Sequence, residues 1–164
     1  MKEIRNYKVQ DLVIVSYLRQ DARITLTKMS RETRIPVSTI FDKIKGYKET
    51  GLIRKNTALV SFDRFGYNTK ALIFFSADKE DRGKLAELLK NNRHVNSLFK
   101  INSGWDLMAE VISPNFKEIE DFLESVEGEV TLKDKKVFYV IDELKREEFL
   151  SNPKSTTAVS FPRG

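Results

Sequence analysis

Residues 21–53 read DARITLTKMSRETRIPVSTIFDKIKGYKETGLI, and this stretch decides how the first part of the chain folds. Thr25 is a natural helix N-cap, because its hydroxyl can accept from a free amide of the first turn. Leu26, Met29, Ser30 and Thr33 then recur at helical spacing. The helix stops at Ile35-Pro36, since the residue before a proline is pushed out of the helical region. Pro36 suits the start of a third helix, where its missing N–H costs nothing. Ser38 and Thr39 lie in the first turn of that helix, Ile40, Ile44 and Tyr47 line one side, and Gly51 ends it. Two short helices joined by a tight turn make a helix-turn-helix.

Upstream, DLVIVSYLRQ (11–20) is a helix with Asp11, Ile14, Val15 and Leu18 on one face. Downstream, Leu52-Ile53 and Thr57 to Val60 are β-like around Arg54-Lys55-Asn56, which predicts a short hairpin, a wing. Asp63-Arg64-Phe65-Gly66-Tyr67 reads as a junction. The remainder alternates: strand TKALIFFS, helix KEDRGKLAELLKNN with Leu85, Leu88 and Leu89 inward, strand VNSLFKIN, turn NSG, strand WDLMAEVIS. Ser113-Pro114 then caps a helix with Ile119, Phe122, Leu123 and Val126 inward, before a last strand, VTLKDKKVFYVI. The order β-α-β-β-α-β is the ferredoxin-like arrangement. The fold class is therefore α+β, with an N-terminal winged helix-turn-helix over 1–66 and a ferredoxin-like domain over 67–150. The polar tail 151–164 is expected to be poorly ordered.

Charge divides the chain in the same place. Residues 1–66 carry 14 Lys and Arg against 7 Asp and Glu (net +7), whereas 67–164 carry 15 against 17 (net −2). A positive excess confined to one part points to a polyanionic partner or to a generic basic surface. The chain has no Cys, which removes disulfides, thiolate zinc sites and cysteine nucleophiles. There is no leader-like N-terminus and no long apolar run, so a cytoplasmic protein is expected.

Taking Ile40 as the inward direction and about 100° per residue, Ile44 and Tyr47 also point inward. Ser38, Phe41, Asp42, Lys45 and Glu49 point outward, with Thr39, Lys43 and Gly46 on the flanks. Ser38, Thr39, Phe41, Asp42, Lys43 and Lys45 are the candidate DNA contacts of this helix: Ser and Thr can donate to bases or phosphates, Lys can pair with guanine, and Phe41 can touch a thymine methyl. Arg23, Lys28, Arg31, Arg34, Arg54 and Lys55 frame this helix as candidate phosphate contacts. The competing reading is a small helical core with a solvated charged face. No P-loop, GxGxxG or HExxH is present, and the single His94 has no triad partner, so neither an enzyme nor a metal or cofactor site is expected. Trp105 beside Asp106 reads either as a ligand turn or as a core tryptophan next to a turn aspartate.

These residues resemble the DNA-binding domain of the Lrp/AsnC, or feast/famine, regulators. The marks are Asp21-Ala22-Arg23, Ser38-Thr39-Ile40, Ile44-Lys45, Glu49-Thr50-Gly51-Leu52-Ile53, the wing TALV and the junction Phe65-Gly66-Tyr67. The likeness covers roughly 8–142. Three departures stand out: Arg34 where the helix-helix turn usually has glycine, Asp42 where Arg is frequent, and a glycine of the NSGWDL turn displaced by one. The resemblance implies a sequence-specific transcription regulator, with recognition helix 37–50 in the major groove of double-stranded DNA and a homodimer or higher oligomer made by the C-terminal domain. It also implies an amino-acid effector near Asn102, Ser103, Gly104, Trp105 and Asp106, where Asp106 could pair with an ammonium group. The alternative is a small-molecule-binding metabolic module on the ferredoxin-like fold.

Overall fold

A computed structural model describes residues 7–156. The chain forms two compact units, residues 1–59 with 144–164, and residues 60–143. It therefore crosses from the first unit to the second once and returns once. This division differs from the expected one, which placed the segment up to 66 in the first domain and the segment up to 150 in the second. It also sharpens the charge asymmetry. The first unit holds 17 Lys and Arg against 8 Asp and Glu (net +9), the second 12 against 16 (net −4).

The first unit has helices α1 (Val9–Gln20), α2 (Leu26–Thr33) and α3 (Val37–Glu49). Thr25 caps α2, its Oγ1 accepting from the Lys28 amide at 3.2 Å. Ile14, Met29, Ile35, Ile40 and Tyr47 are buried together, with Leu18, Ile24, Leu26, Ile44 and Ile53 around them. The α2–α3 turn closes through Arg34, which adopts the left-handed conformation (φ 58°, ψ 23°) and donates its amide to Ser30 O at 2.8 Å. That is the backbone state glycine takes without penalty. Arg34→Gly is therefore expected to raise stability by about 0.5–1 kcal/mol, because relief of the left-handed strain exceeds the entropy glycine adds to the unfolded chain. A melting temperature lowered by the change would show that the arginine side chain contributes more than its backbone costs.

The expected wing hairpin does not form: residues 54–60 make no strand. The physical reason lies at the end of α3. Gly51 turns left-handed (φ +71°) and donates to Lys48 O at 3.1 Å, and the Ile53 amide folds back to Tyr47 O at 3.0 Å. Ile53 is thereby committed to the helical core. One committed residue leaves too little chain for a hairpin, which is marginal even when longer.

Residues 144–156 return to the first unit and end in the short helix α6 (Pro153–Thr156), which packs against α1. Arg19 holds this segment, donating Nε to Phe149 O at 2.5 Å and Nη2 to both Glu147 O (2.8 Å) and Glu147 Oε2 (3.0 Å). The remainder of the expected tail, 157–164, lies outside the described residues.

The second unit is a four-stranded antiparallel sheet in the order β2-β3-β1-β4, with β1 (Thr69–Ala77), β2 (Val95–Lys100), β3 (Leu107–Ser113) and β4 (Leu132–Tyr139). Helices α4 (Arg82–Asn91) and α5 (Phe116–Glu127) join the strands. Ala71, Ile73, Phe75 and Ala77 alternate along β1 into a core shared with Leu107, Ala109 and Val111 of β3 and with Leu85, Leu89, Ile119, Phe122, Leu123 and Val126 of the helices. The α5 cap is Asn115, whose side chain accepts from the Glu118 amide at 3.0 Å, rather than Ser113-Pro114. The Ser113 hydroxyl instead donates to Asn115 O at 2.8 Å and sets up that cap.

Candidate nucleic-acid interface

Helical period assigns the faces of α3, and the burial follows it. Ile40 and Tyr47 are buried and Ile44 is half-buried, while Ser38, Phe41, Asp42, Lys45 and Glu49 are exposed and Thr39 is half-buried. Phe41 is 56% exposed, a large apolar ring presented to water one helical turn beyond the exposed Val37. Short helix α2, capped at Thr25 and closed at Arg34, fixes the entry to α3, and the buried Ile35 pins the turn between them.

The expected cationic frame is exposed throughout: Arg23, Lys28, Arg31, Arg34, Arg54 and Lys55. Among the described residues, none of these side chains, nor that of Lys45, forms an ion pair. Seven such exposed cations in one small unit of net charge +9 give a strong local positive field. Such a surface suits a polyanion whose condensed counterions are released on contact.

Lys43 departs from the expected set. Its Nζ turns to Asp11 Oδ1 at 2.6 Å, and its side chain is only 25% exposed. Tyr47, one helical turn on, donates its hydroxyl to the same oxygen at 2.5 Å, and the Lys8 amide donates to Oδ2 at 2.7 Å. Asp11 is itself buried. Burial alone would raise its pKa, but the hydrogen bonds from Lys43, Tyr47 and Lys8 outweigh that and hold the carboxyl below its ordinary range. Burial, with the adjacent carboxylate, raises the Tyr47 hydroxyl well above its usual value. Sequence reading missed this cluster although a signal was present: Asp11 shares the apolar face of α1 with Ile14 and Leu18. An acid on a buried face requires a partner.

The expected effector turn is built differently from its reading. Asn102, Ser103 and Gly104 are exposed, and the last two take left-handed backbone (φ +62° and +90°) as the chain reverses. Trp105 packs edge-on against Phe74, with centroids 5.9 Å apart. Asp106 already has two partners within the unit. Its Oδ1 pairs with Arg82 Nε at 3.0 Å and its Oδ2 accepts from the Ala77 amide at 3.0 Å. The carboxylate thus ties the end of β1 to the start of α4 and β3, a long-range role that spacing along the chain does not reveal.

Among the described residues, no group of His, Cys, Asp or Glu could hold a metal ion, and no helix is long and apolar enough to cross a membrane.

No family model matches the chain. An HTH-type transcriptional regulator of Pyrococcus furiosus, FL11, is 29% identical over 121 residues, spanning 72% of this chain and 80% of its own length. An HTH-type transcriptional regulator of Pyrococcus abyssi is 23% identical over 145 residues, spanning 87% of this chain and 97% of its own. Among solved structures, a transcriptional regulator of Neisseria meningitidis in complex with L-Met superimposes with a TM-score of 0.80 at 19% identity, covering 86% of this chain and 94% of that one. AsnC of Escherichia coli gives 0.77 at 15% identity, covering 85% and 95%.

Proposed function

We propose that the chain is a transcription regulator of the Lrp/AsnC type and that it binds double-stranded DNA with α3 in the major groove. The observation that carries this reading is the exposed Ser38, Phe41, Asp42 and Lys45 face, framed by exposed cations that form no ion pair among the described residues. In such a complex, Lys45 reaches a base edge, Phe41 meets a thymine methyl, and Asp42 accepts from a cytosine amino group. Ser38 and Thr39 donate near the helix start. Arg23, Lys28, Arg34, Arg54 and Lys55 take phosphates, which position the protein without reading sequence. The metabolic-module alternative finds no support among the relatives, which are regulators.

The test uses the full chain with a duplex selected from genomic fragments. Lys45→Ala is expected to weaken binding by about 1–3 kcal/mol and to relax preference at one base pair. Arg54→Ala is expected to weaken all sequences alike and to flatten the salt dependence by about one unit of slope. If both variants bind the selected duplex as the parent does, α3 is not the reading helix.

The second unit supplies assembly and effector response in this proposal. The L-Met complex of the Neisseria meningitidis regulator supports an amino acid as the ligand class. With Asp106 occupied by Arg82 and Ala77, the recognition groups at the turn are the exposed Asn102 and Ser103 side chains and the backbone at Gly104, with Trp105 as an apolar wall. A thermal-shift screen of the twenty amino acids is expected to give a hit that Asn102→Ala weakens. A hit indifferent to that change places the ligand elsewhere.

A further inference from the structure

We infer that Asp11 is a positioning residue for DNA recognition: it withholds Lys43 from the phosphate backbone and fixes the rotation of α3. The inference rests on the DNA reading of α3 given above. Its own basis is the three-way contact at one buried carboxylate. Oδ1 receives Lys43 Nζ at 2.6 Å and the Tyr47 hydroxyl at 2.5 Å, and Oδ2 receives the Lys8 amide at 2.7 Å. Lys43 and Tyr47 are four residues apart and so lie on one face of α3. A single acid near the start of α1 therefore holds the reading helix at two successive turns.

The placement of Lys43 makes this arrangement functional as well as structural. With Ile40 inward, Lys43 lies about 60° round the helix from it, on the flank that borders the exposed face. An unrestrained lysine there has a stem long enough to swing its ammonium outward, as the neighbouring cations do. Every other lysine or arginine of the expected interface is exposed and without an acid partner among the described residues, whereas Lys43 alone is drawn inward. A phosphate contact adds affinity to every sequence equally, so releasing one more cation favours non-specific DNA. Base contacts, in contrast, depend on the angle at which α3 enters the groove. One carboxylate thus suppresses sequence-independent attraction and preserves the geometry on which sequence reading depends.

The experiment measures affinity of the full chain for mixed-sequence duplex DNA and for one selected duplex, across a salt series, in the parent, Asp11→Asn, Lys43→Gln, the double variant and Tyr47→Phe. In Asp11→Asn, the slope of log affinity against log salt on mixed DNA is expected to steepen by about 0.9, the increment of one phosphate contact. Affinity for mixed DNA then rises, by up to about eightfold at 0.1 M salt by the same relation, and the preference for the selected duplex falls. Lys43→Gln alone is expected to leave the slope unchanged, and the double variant to return to it. Tyr47→Phe removes the other side-chain bond to Asp11 but leaves Lys43 paired, so it controls for loss of stability and is expected to keep the parental slope. A slope that flattens in Lys43→Gln overturns the inference, because Lys43 would already contact phosphate. So does a folded Asp11→Asn whose slope and preference match the parent. A parent that binds mixed DNA without salt dependence instead overturns the DNA reading itself, and this inference with it.

Discussion

Asp11→Ala is expected to be the most damaging single polar substitution in the first unit, lowering its stability by about 2–3 kcal/mol. The change strands the Lys43 ammonium and the Tyr47 hydroxyl, both of which have Asp11 as their partner. It also removes the acceptor for the Lys8 amide at the start of α1. The figure sits at or below the range for breaking a fully buried pair, because the Lys43 side chain is a quarter exposed and can recover some hydration. For a unit of this size the loss corresponds to roughly 10–20 °C in melting temperature. The pH dependence separates charge from packing. The folded state holds the Asp11 carboxyl below the ordinary range of an aspartate. A depressed acid stabilises fully above the unfolded value and loses that contribution as pH falls through the folded one. Parent and Asp11→Ala are therefore expected to differ most at neutral pH and to converge below about pH 4. A gap of constant size from pH 7 to pH 3 would assign the loss to packing.

The parts of this molecule that were legible in the sequence are those governed by local periodicity. The inward Ile40, Ile44 and Tyr47 and the outward Ser38, Phe41, Asp42 and Lys45 follow from 3.6 residues per turn. The β1 alternation follows from a period of two, and the Thr25 cap from one hydroxyl at one position. What was not legible depends on partners distant in sequence. Lys43 reads as an interface cation until Asp11, 32 residues earlier, is found beside it. Asp106 reads as a ligand group until Arg82 and the Ala77 amide take its two oxygens. Residues 144–150 read as the end of the second domain until Arg19, 128 residues upstream of Glu147, gathers the Glu147 and Phe149 carbonyls. The wing failed for a local reason: Ile53 has β propensity, yet its amide and side chain are used in closing α3. In the first two cases a charged side chain was read as available because its neighbours in sequence offered no partner.

Phe138→Asp is expected to dissociate the oligomer, raising the dimer dissociation constant roughly 100- to 1,000-fold, about 3–4 kcal/mol. Both helices of the ferredoxin-like unit pack on the sheet face formed by Ala71, Ile73 and Phe75, which leaves Leu72 and Phe74 of β1 on the other. Phe138 stands opposite Leu72 in the β1–β4 register, and its ring packs edge-on with Phe74 at 5.5 Å, while Trp105 meets Phe74 from another side. Phe138 remains 46% exposed and Phe99, on β2, is 50% exposed. An aromatic cluster that the protein's own helices do not cover has the composition of an interface core. A second copy is the simplest occupant, because a two-fold pairing presents the same patch from both sides and supplies two α3 helices for successive major grooves. Within one protomer the aspartate costs little, since a half-exposed position lets its carboxylate reach water. In the paired state it would be buried without a counter-charge, and the two-fold axis would bury two of them. Sedimentation of the full chain is the suitable measurement, because residues 144–156 pack with the first unit and a fragment of the second would omit their anchor. The parent is expected to sediment as a dimer or larger at tens of micromolar and Phe138→Asp as a monomer with unchanged secondary structure. That monomer is also expected to bind a two-half-site duplex far more weakly, with little change on a single half-site. A parent that sediments as a monomer, or a variant that still dimerises, would remove this sheet face from the assembly.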